Sequence, residues 1–162
     1  MVTEAIVSFI FEKVLDILPG WLARRFISSE KIVSQIEVDL RRMNPIDISF
    51  GTEIPRLNLY FRISNLSSLD VVLDRLLIDL WIGQPTLRGA ILARYNVPKR
   101  SSREDIYFAQ QLTIPQQDQI RKQVSGQLLS VPVTIHAQAY FDSKVGVVYV
   151  DKRIEHRDVP CR

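Results

Sequence analysis

The segment from Leu57 to Ile82 constrains the fold most, because two apolar-alternating stretches flank a polar break within it. Every second residue of each stretch is apolar, which is typical of a strand with one buried face. The break runs from Asn65 to Ser68. We therefore predict two strands at the centre of a β-sandwich, in which six apolar side chains are buried together: Leu59, Phe61, Ile63, Leu76, Ile78 and Leu80.

Shorter alternating stretches lie on both sides of this centre. Near the end of the chain, Asp142-Ser143-Lys144 separates two runs rich in Val, Ile and Tyr, which predicts a β-hairpin. A proline start and apolar residues spaced by four predict a short connecting helix over residues 115–129. The prediction is an antiparallel sandwich of seven to eight strands, about ten residues apart. The other strands are expected within Glu30–Arg41, Ile46–Phe50, Glu104–Leu112, Val131–Phe141 and Val145–Ile154.

The chain begins with a pattern that predicts an amphipathic helix from Thr3 to Leu18. Apolar residues recur at helical spacing, while polar and acidic residues step by four along the opposite side. Pro19-Gly20 then ends the run. A membrane-spanning helix needs about 20 mostly apolar residues, and the charges at Glu12 and Asp16 interrupt this one too early. We expect a helix that lies on a surface.

An aromatic and basic connector follows this helix, so we assign residues 1–27 to helix and connector and residues 28–162 to the sandwich domain. An apolar face this large is unstable in water and must be covered by the sandwich, a second copy, a protein partner or a membrane surface. The acidic polar side of the helix favours the domain or a protein partner over anionic lipid. The residues expected at the contact are Ile6, Ile10, Phe11, Val14, Ile17, Leu18, Trp21, Arg24 and Arg25.

Composition and spacing exclude several functional classes. The 21 Lys and Arg against 18 Asp and Glu give a formal charge of +3, too small and too interspersed to indicate nucleic-acid binding. The single cysteine, Cys161, rules out an internal disulfide and favours a reducing compartment. Catalytic motifs and metal-ligand spacings are missing, and His136 and His156 stand far apart. We expect a cytoplasmic protein, peripheral to a membrane at most, that is not an enzyme and holds neither cofactor nor metal.

Three landmarks follow one another in an order with a counterpart in a known family. An apolar strand runs into an asparagine at Phe61–Asn65, a second leads to a small-residue turn at Leu76–Gly89, and Val131-Pro132-Val133 opens the late hairpin. From Ile36 onward the chain thereby resembles late embryogenesis abundant group 2 proteins, also called the water stress and hypersensitive response domain. The family usually has proline after the asparagine, where this chain has Leu66. The resemblance implies an immunoglobulin/fibronectin III-like sandwich, no enzymatic activity and a role in stress protection.

Two hypotheses of function stay open at this point. In the first, the protein is a stress-protective or binding module whose N-terminal helix docks on the domain, a partner or a membrane surface. In the second, the sandwich carries an apolar ligand or lipid between its sheets. A structural protein, in which the helix only covers one end of the sandwich, is a third interpretation.

Overall fold

The computed structural model describes residues 10–11, 13–50, 54–83, 86–124 and 130–161. The chain is mainly antiparallel β-structure in two sheets that enclose one apolar core. Residues 10–11 and 13–17 are helical and are called α1. The other helices are α2 (Gly20–Ala23), α3 (Ser29–Val33) and α4 (Ile114–Val124). The strands are β1 (Ile36–Leu40), β2 (Ile46–Ser49), β3 (Arg56–Asn65), β4 (Val71–Ile82), β5 (Thr86–Ile91), β6 (Tyr95–Val97), β7 (Ser101–Gln111), β8 (Ser130–Ser143) and β9 (Gly146–Pro160).

The two sheets are built around the two central strands of the sequence. In the first sheet, β1 and β2 pair with successive halves of one edge of β3, and β7 pairs with the other edge. In the second sheet, β5 and β6 share one edge of β4, and β8 and β9 follow on the other side. Consecutive strands β3 and β4 therefore lie in different sheets, and the polar break at Asn65–Ser68 is where the chain crosses between them.

The predicted core is confirmed. Five of the six side chains expected to be buried together are fully buried, and Ile78 is 2% exposed. Burial alternates along β3 from Leu57 to Ile63, and along β4 on each side of a register shift between Leu73 and Arg75, because successive side chains of a strand point to opposite faces. The inner faces of both sheets supply this common core.

The described residues form nine strands, where seven to eight were expected. The additional strand arises because the chain between Thr86 and Val97 forms two short strands, β5 and β6, on one edge of β4. β5 has Gly89 where an alternating strand would have another large apolar side chain, and β6 has only three residues, so neither strand was recognised from its sequence. The late hairpin is confirmed, but its turn is at Lys144-Val145, one residue later than expected.

The strand expected over Glu30–Arg41 is wrong in its first half, which forms α3. The hydroxyl of Ser28 caps this helix by accepting a hydrogen bond from the Lys31 backbone N–H at 3.3 Å. Ile32 is fully buried from the helix, so its place in an alternating pattern was coincidental. Strand structure begins only at Ile36.

The predicted connecting helix is confirmed as α4, with a capped start. The Thr113 backbone N–H donates to Gln116 Oε1 at 2.9 Å, the return half of a capping box. Residues 125–129 of the expected helix lie outside the described residues. Beyond the final hairpin, β9 continues until Cys161 bridges in parallel to Ile48, which connects the edge of the second sheet to the first.

Candidate binding surface

The N-terminal segment is attached to the β-domain by apolar side chains. Leu15 of α1 is fully buried in the core cluster, and Ala23 and Ile27 are buried in the same cluster. Leu18 is half-buried and packs against it. Burying a leucine side chain contributes about 1.5–3 kcal/mol, so Leu15 anchors the helix to the domain.

Two lysines from distant turns hold the end of α1. Lys144 Nζ, in the β8–β9 turn, donates to the backbone carbonyl of Leu15 at 2.8 Å and to that of Asp16 at 2.6 Å. These carbonyls lie in the last turn of the helix, where intrahelical partners are lacking and a positive charge is favoured. Lys99 Nζ lies 2.7 Å from Asp16 Oδ2. The hydrogen bond from Lys99 lowers the pKa of the Asp16 carboxyl below its usual value, despite partial desolvation.

Gly20 brings the backbone of α2 against the same β8–β9 turn. A Cβ placed on Gly20 would lie 2.5 Å from the carbonyl oxygen of Lys144, closer than real Cβ atoms approach backbone oxygen. Glycine is therefore required here by the close approach of two backbone segments. The docked position of the segment rests on this contact as well as on Leu15.

The opposite side of α1 is apolar and exposed. Ile10, Val14 and Ile17 are 55%, 45% and 83% exposed. At 100° per residue these three positions fall within about 60° of one another, and Leu15 falls well outside that sector. We call Ile10, Val14 and Ile17 the apolar stripe.

Aromatic and basic side chains extend this surface. The rings of Phe11 and Phe26 meet edge to face, with centroids 6.5 Å apart, and both side chains are exposed. Trp21 is 70% exposed. Arg24 and Arg25 are exposed too, and within the described part of the chain neither forms a salt bridge.

The structure separates the residues expected from sequence into two groups. Leu18 faces the domain, whereas the exposed group comprises Ile10, Phe11, Val14, Ile17, Trp21, Arg24 and Arg25. Ile6 lies outside the described residues. Sequence reasoning missed Leu15, although its position between Phe11 and Leu18 on the helical repeat was a usable signal. It also missed Lys99 and Lys144, which no local pattern connects to the helix.

The described residues give little support for a membrane-spanning helix, a metal site or a glycosylation site. None of their helices has the length and apolarity needed to cross a membrane. Within the same residues, no three His, Cys, Asp or Glu side chains are grouped as metal ligands. Asn65, which stands in a glycosylation-type Asn-Leu-Ser sequence, is fully buried with its amide hydrogen-bonded to backbone carbonyls.

Comparison with known proteins leaves the family open. No family model matches the sequence, and no curated protein matches it either. A putative late embryogenesis abundant protein has a similar solution structure, with a TM-score of 0.44, 12% identity, and coverage of 98% of this chain and 89% of that one.

Two further solved structures give similar values. A protein from Archaeoglobus fulgidus has a TM-score of 0.44 and 8% identity over 76% of this chain and 95% of its own. A protein from Arabidopsis thaliana has a TM-score of 0.44 and 10% identity over 78% of this chain and 79% of its own. Likenesses at this level assign neither a family nor a function.

Proposed function

We propose that this protein is a non-enzymatic binding module that attaches to an anionic membrane surface through the apolar stripe and the connector after it. A stress-protective role and an immunoglobulin/fibronectin III-like topology belong to the same proposal, and rest on the motif resemblance to late embryogenesis abundant group 2 proteins. The observation that most directly supports membrane attachment is that α1 docks on the domain through Leu15 and still exposes Ile10, Val14 and Ile17.

The energetics support an external contact for this stripe. An Ile or Val side chain gains about 1.5–3 kcal/mol on full burial, so three exposed side chains on one helical face favour association. Contiguous exposed apolar patches on a domain typically mark a binding site. Because Leu15 fixes α1 on the domain, the helix cannot turn its stripe inward without losing that anchor.

The charges near α1 favour an anionic lipid surface as the binding partner of the apolar stripe. The sequence favoured a protein partner because the polar side of the helix is acidic, but Lys99 pairs with Asp16 and Lys144 lies at the same helix end. Arg24 and Arg25 add two exposed positive charges, each worth about 1 kcal/mol beside an anionic leaflet. Trp21 is of the type enriched at membrane interfaces. A small apolar face with basic neighbours suits an interfacial helix.

Vesicle flotation of the full chain tests the proposal. We expect binding to vesicles of phosphatidylcholine mixed with phosphatidylglycerol, weaker binding to phosphatidylcholine alone, and weakening by salt. Ile17→Ser should lower the affinity roughly tenfold, because it removes one exposed isoleucine from the contact. Ile114→Ser is the matched control, since Ile114 is similarly exposed, at 74%, but belongs to α4.

Paired arginine variants separate charge from apolar contact. Changing Arg24 and Arg25 to Gln should reduce binding to anionic vesicles, whereas changing the exposed Arg42 and Arg56 to Gln should not. Equal flotation of the Ile17 and Ile114 variants would overturn the proposal. So would sedimentation showing an Ile17-dependent dimer that does not bind vesicles, which would make a second copy the occupant. The alternative function is that of a carrier of an apolar ligand or lipid between the sheets. Native mass spectrometry tests it, since co-purified lipid would favour the carrier.

A further inference from the structure

A cleft opens on the outer face of the second sheet, on elements other than α1. Its volume is about 510 Å³, and its lining comes from β4, β8, β9 and the residue after β4. Pockets for small ligands typically measure about 300–1,000 Å³. The lining residues are Trp81, Gly83, Thr134, His136, Asp151 and Arg153.

Strand register explains why these side chains meet. Trp81 of β4 lies opposite Thr134 of β8, and His136 lies opposite Arg153 of β9. Residues two apart on a strand share a face, so Thr134 and His136 are neighbours along β8. The same alternation buries Ile135 between them on the core side.

Hydrogen bonds fix the orientation of Asp151, the acidic residue of the cleft lining. Tyr149 donates its hydroxyl proton to Asp151 Oδ2 at 2.8 Å, and His136 Nε2 lies 2.6 Å from Asp151 Oδ1. The Gln138 side chain, opposite Asp151 on β8, is a third hydrogen-bond partner of this carboxylate. A carboxylate offers about four lone-pair sites, so Asp151 keeps acceptor capacity for about one further hydrogen bond. These hydrogen bonds hold Asp151 in one orientation, which favours a ligand that donates hydrogen bonds.

The arginines in and beside the cleft are paired with carboxylates of the protein. Arg153 Nε lies 3.5 Å from Glu155 Oε1, and on the neighbouring strand pair Arg88 Nε lies 3.1 Å from Asp79 Oδ1. A cleft whose arginines are already paired does not attract an anion strongly, but it presents several oriented donors and acceptors. Such a lining suits a neutral ligand with several hydroxyl groups.

Trp81 supplies the apolar contact that such a ligand needs. Its side chain is 37% exposed at the cleft, so part of the indole is open to a ligand. Sugar rings combine a C–H face that packs on an aromatic ring with hydroxyl groups at their edge. We propose that this cleft binds a neutral saccharide, whose ring packs on Trp81 and whose hydroxyl groups donate to Asp151 and accept from Thr134 and Arg153.

NMR titration of the ¹⁵N-labelled full chain tests this assignment with maltose, cellobiose, lactose and diacetylchitobiose as probes. At least one probe should shift the signals of Trp81, Thr134 and Arg153, with a dissociation constant of about 1 mM, typical of a shallow polar site. Trp81→Leu should abolish these shifts. Tyr107→Leu is the matched control, because Tyr107 is an aromatic side chain with similar exposure, 43%, on β7 of the other sheet, and it should leave the affinity unchanged.

A second variant keeps the proposal testable if Trp81→Leu does not fold. Asp151→Asn keeps the shape of the side chain but weakens its acceptor strength, and it should lower the affinity at least about fivefold with the fold retained. Glycerol at equal mass concentration controls for bulk solute effects. The proposal is overturned if no probe shifts the cleft signals up to about 50 mM, well above millimolar affinity. It is also overturned if the Trp81→Leu and Tyr107→Leu variants bind equally.

Discussion

The side-chain amide of Asn65 donates a hydrogen bond to the backbone carbonyl of Val97 at 3.0 Å, and thereby joins the end of β3 in one sheet to β6 in the other. The same amide donates to the Leu69 carbonyl at 2.8 Å, while Asn65 Oδ1 accepts from the Ser67 hydroxyl at 2.7 Å. Asn65 is fully buried, so these partners are needed to satisfy it. This network organises the crossing between the sheets.

Replacing Asn65 by Asp should destabilise the domain strongly. The substitution keeps the shape of the side chain but removes both amide donors and places a carboxylate near the carbonyls of Leu69 and Val97. We expect a loss of about 3 kcal/mol or more in the free energy of unfolding. Urea denaturation checks this, with the exposed Asn96→Asp as control. A loss below about 1 kcal/mol, the size of a surface substitution, would show that the network is unimportant.

The backbone N–H of Leu66, the residue after Asn65, makes a hydrogen bond that proline could not make. This N–H donates to the Gln35 carbonyl at 2.8 Å, and proline has no N–H to make this bond. Leu66→Pro should therefore cost about 1–2 kcal/mol in the free energy of unfolding. Leu66→Ala keeps the N–H, and because the side chain is 56% exposed it should change stability by less than about 0.5 kcal/mol. Equal stability of the proline and alanine variants would contradict the role of this bond.

Gly20→Ala should loosen the docked N-terminal segment. In an unconstrained helix this change stabilises by up to about 1 kcal/mol, so a destabilising effect would identify the contact with the Lys144 carbonyl. We expect faster amide hydrogen exchange for residues 13–17. Lys144→Met, which removes the two hydrogen bonds to the end of α1, should produce the same local change. Unchanged exchange in both variants would show that Leu15 alone holds the helix.

The attachment of α1 should weaken in acid. Because the hydrogen bond from Lys99 lowers the pKa of Asp16, the pair contributes stability above the ordinary carboxyl pKa of 3.8. That contribution is lost as the pH falls through the lower pKa of the folded state. A nitroxide on Ile17→Cys, in a Cys161→Ser background, should become more mobile in this range while circular dichroism still shows a folded domain. Adding Asp16→Asn should remove the pH dependence, and a persisting dependence would assign it to another group.

Some of these features were readable from the sequence because their cause is local. Alternation along β3 predicted that Leu59, Phe61 and Ile63 share a buried face, since strand side chains alternate whatever the strand pairs with. The helical repeat likewise predicted an apolar face on the N-terminal segment. It could not show which residues of that face the domain covers, such as Leu18, and which it leaves exposed, such as Ile17.

The sequence by itself determined the long strands β3 and β4 and which of their faces is apolar, because both follow from the period of neighbouring residues. Apart from the β8–β9 hairpin, only the tertiary structure decided which strands pair, and that β3 and β4 belong to opposite sheets. It also decided the partners of Asn65, 32 residues away at Val97, and of Leu15, 129 residues away at Lys144. Such contacts form only when folding brings distant segments of the chain together, so no local sequence pattern predicts them.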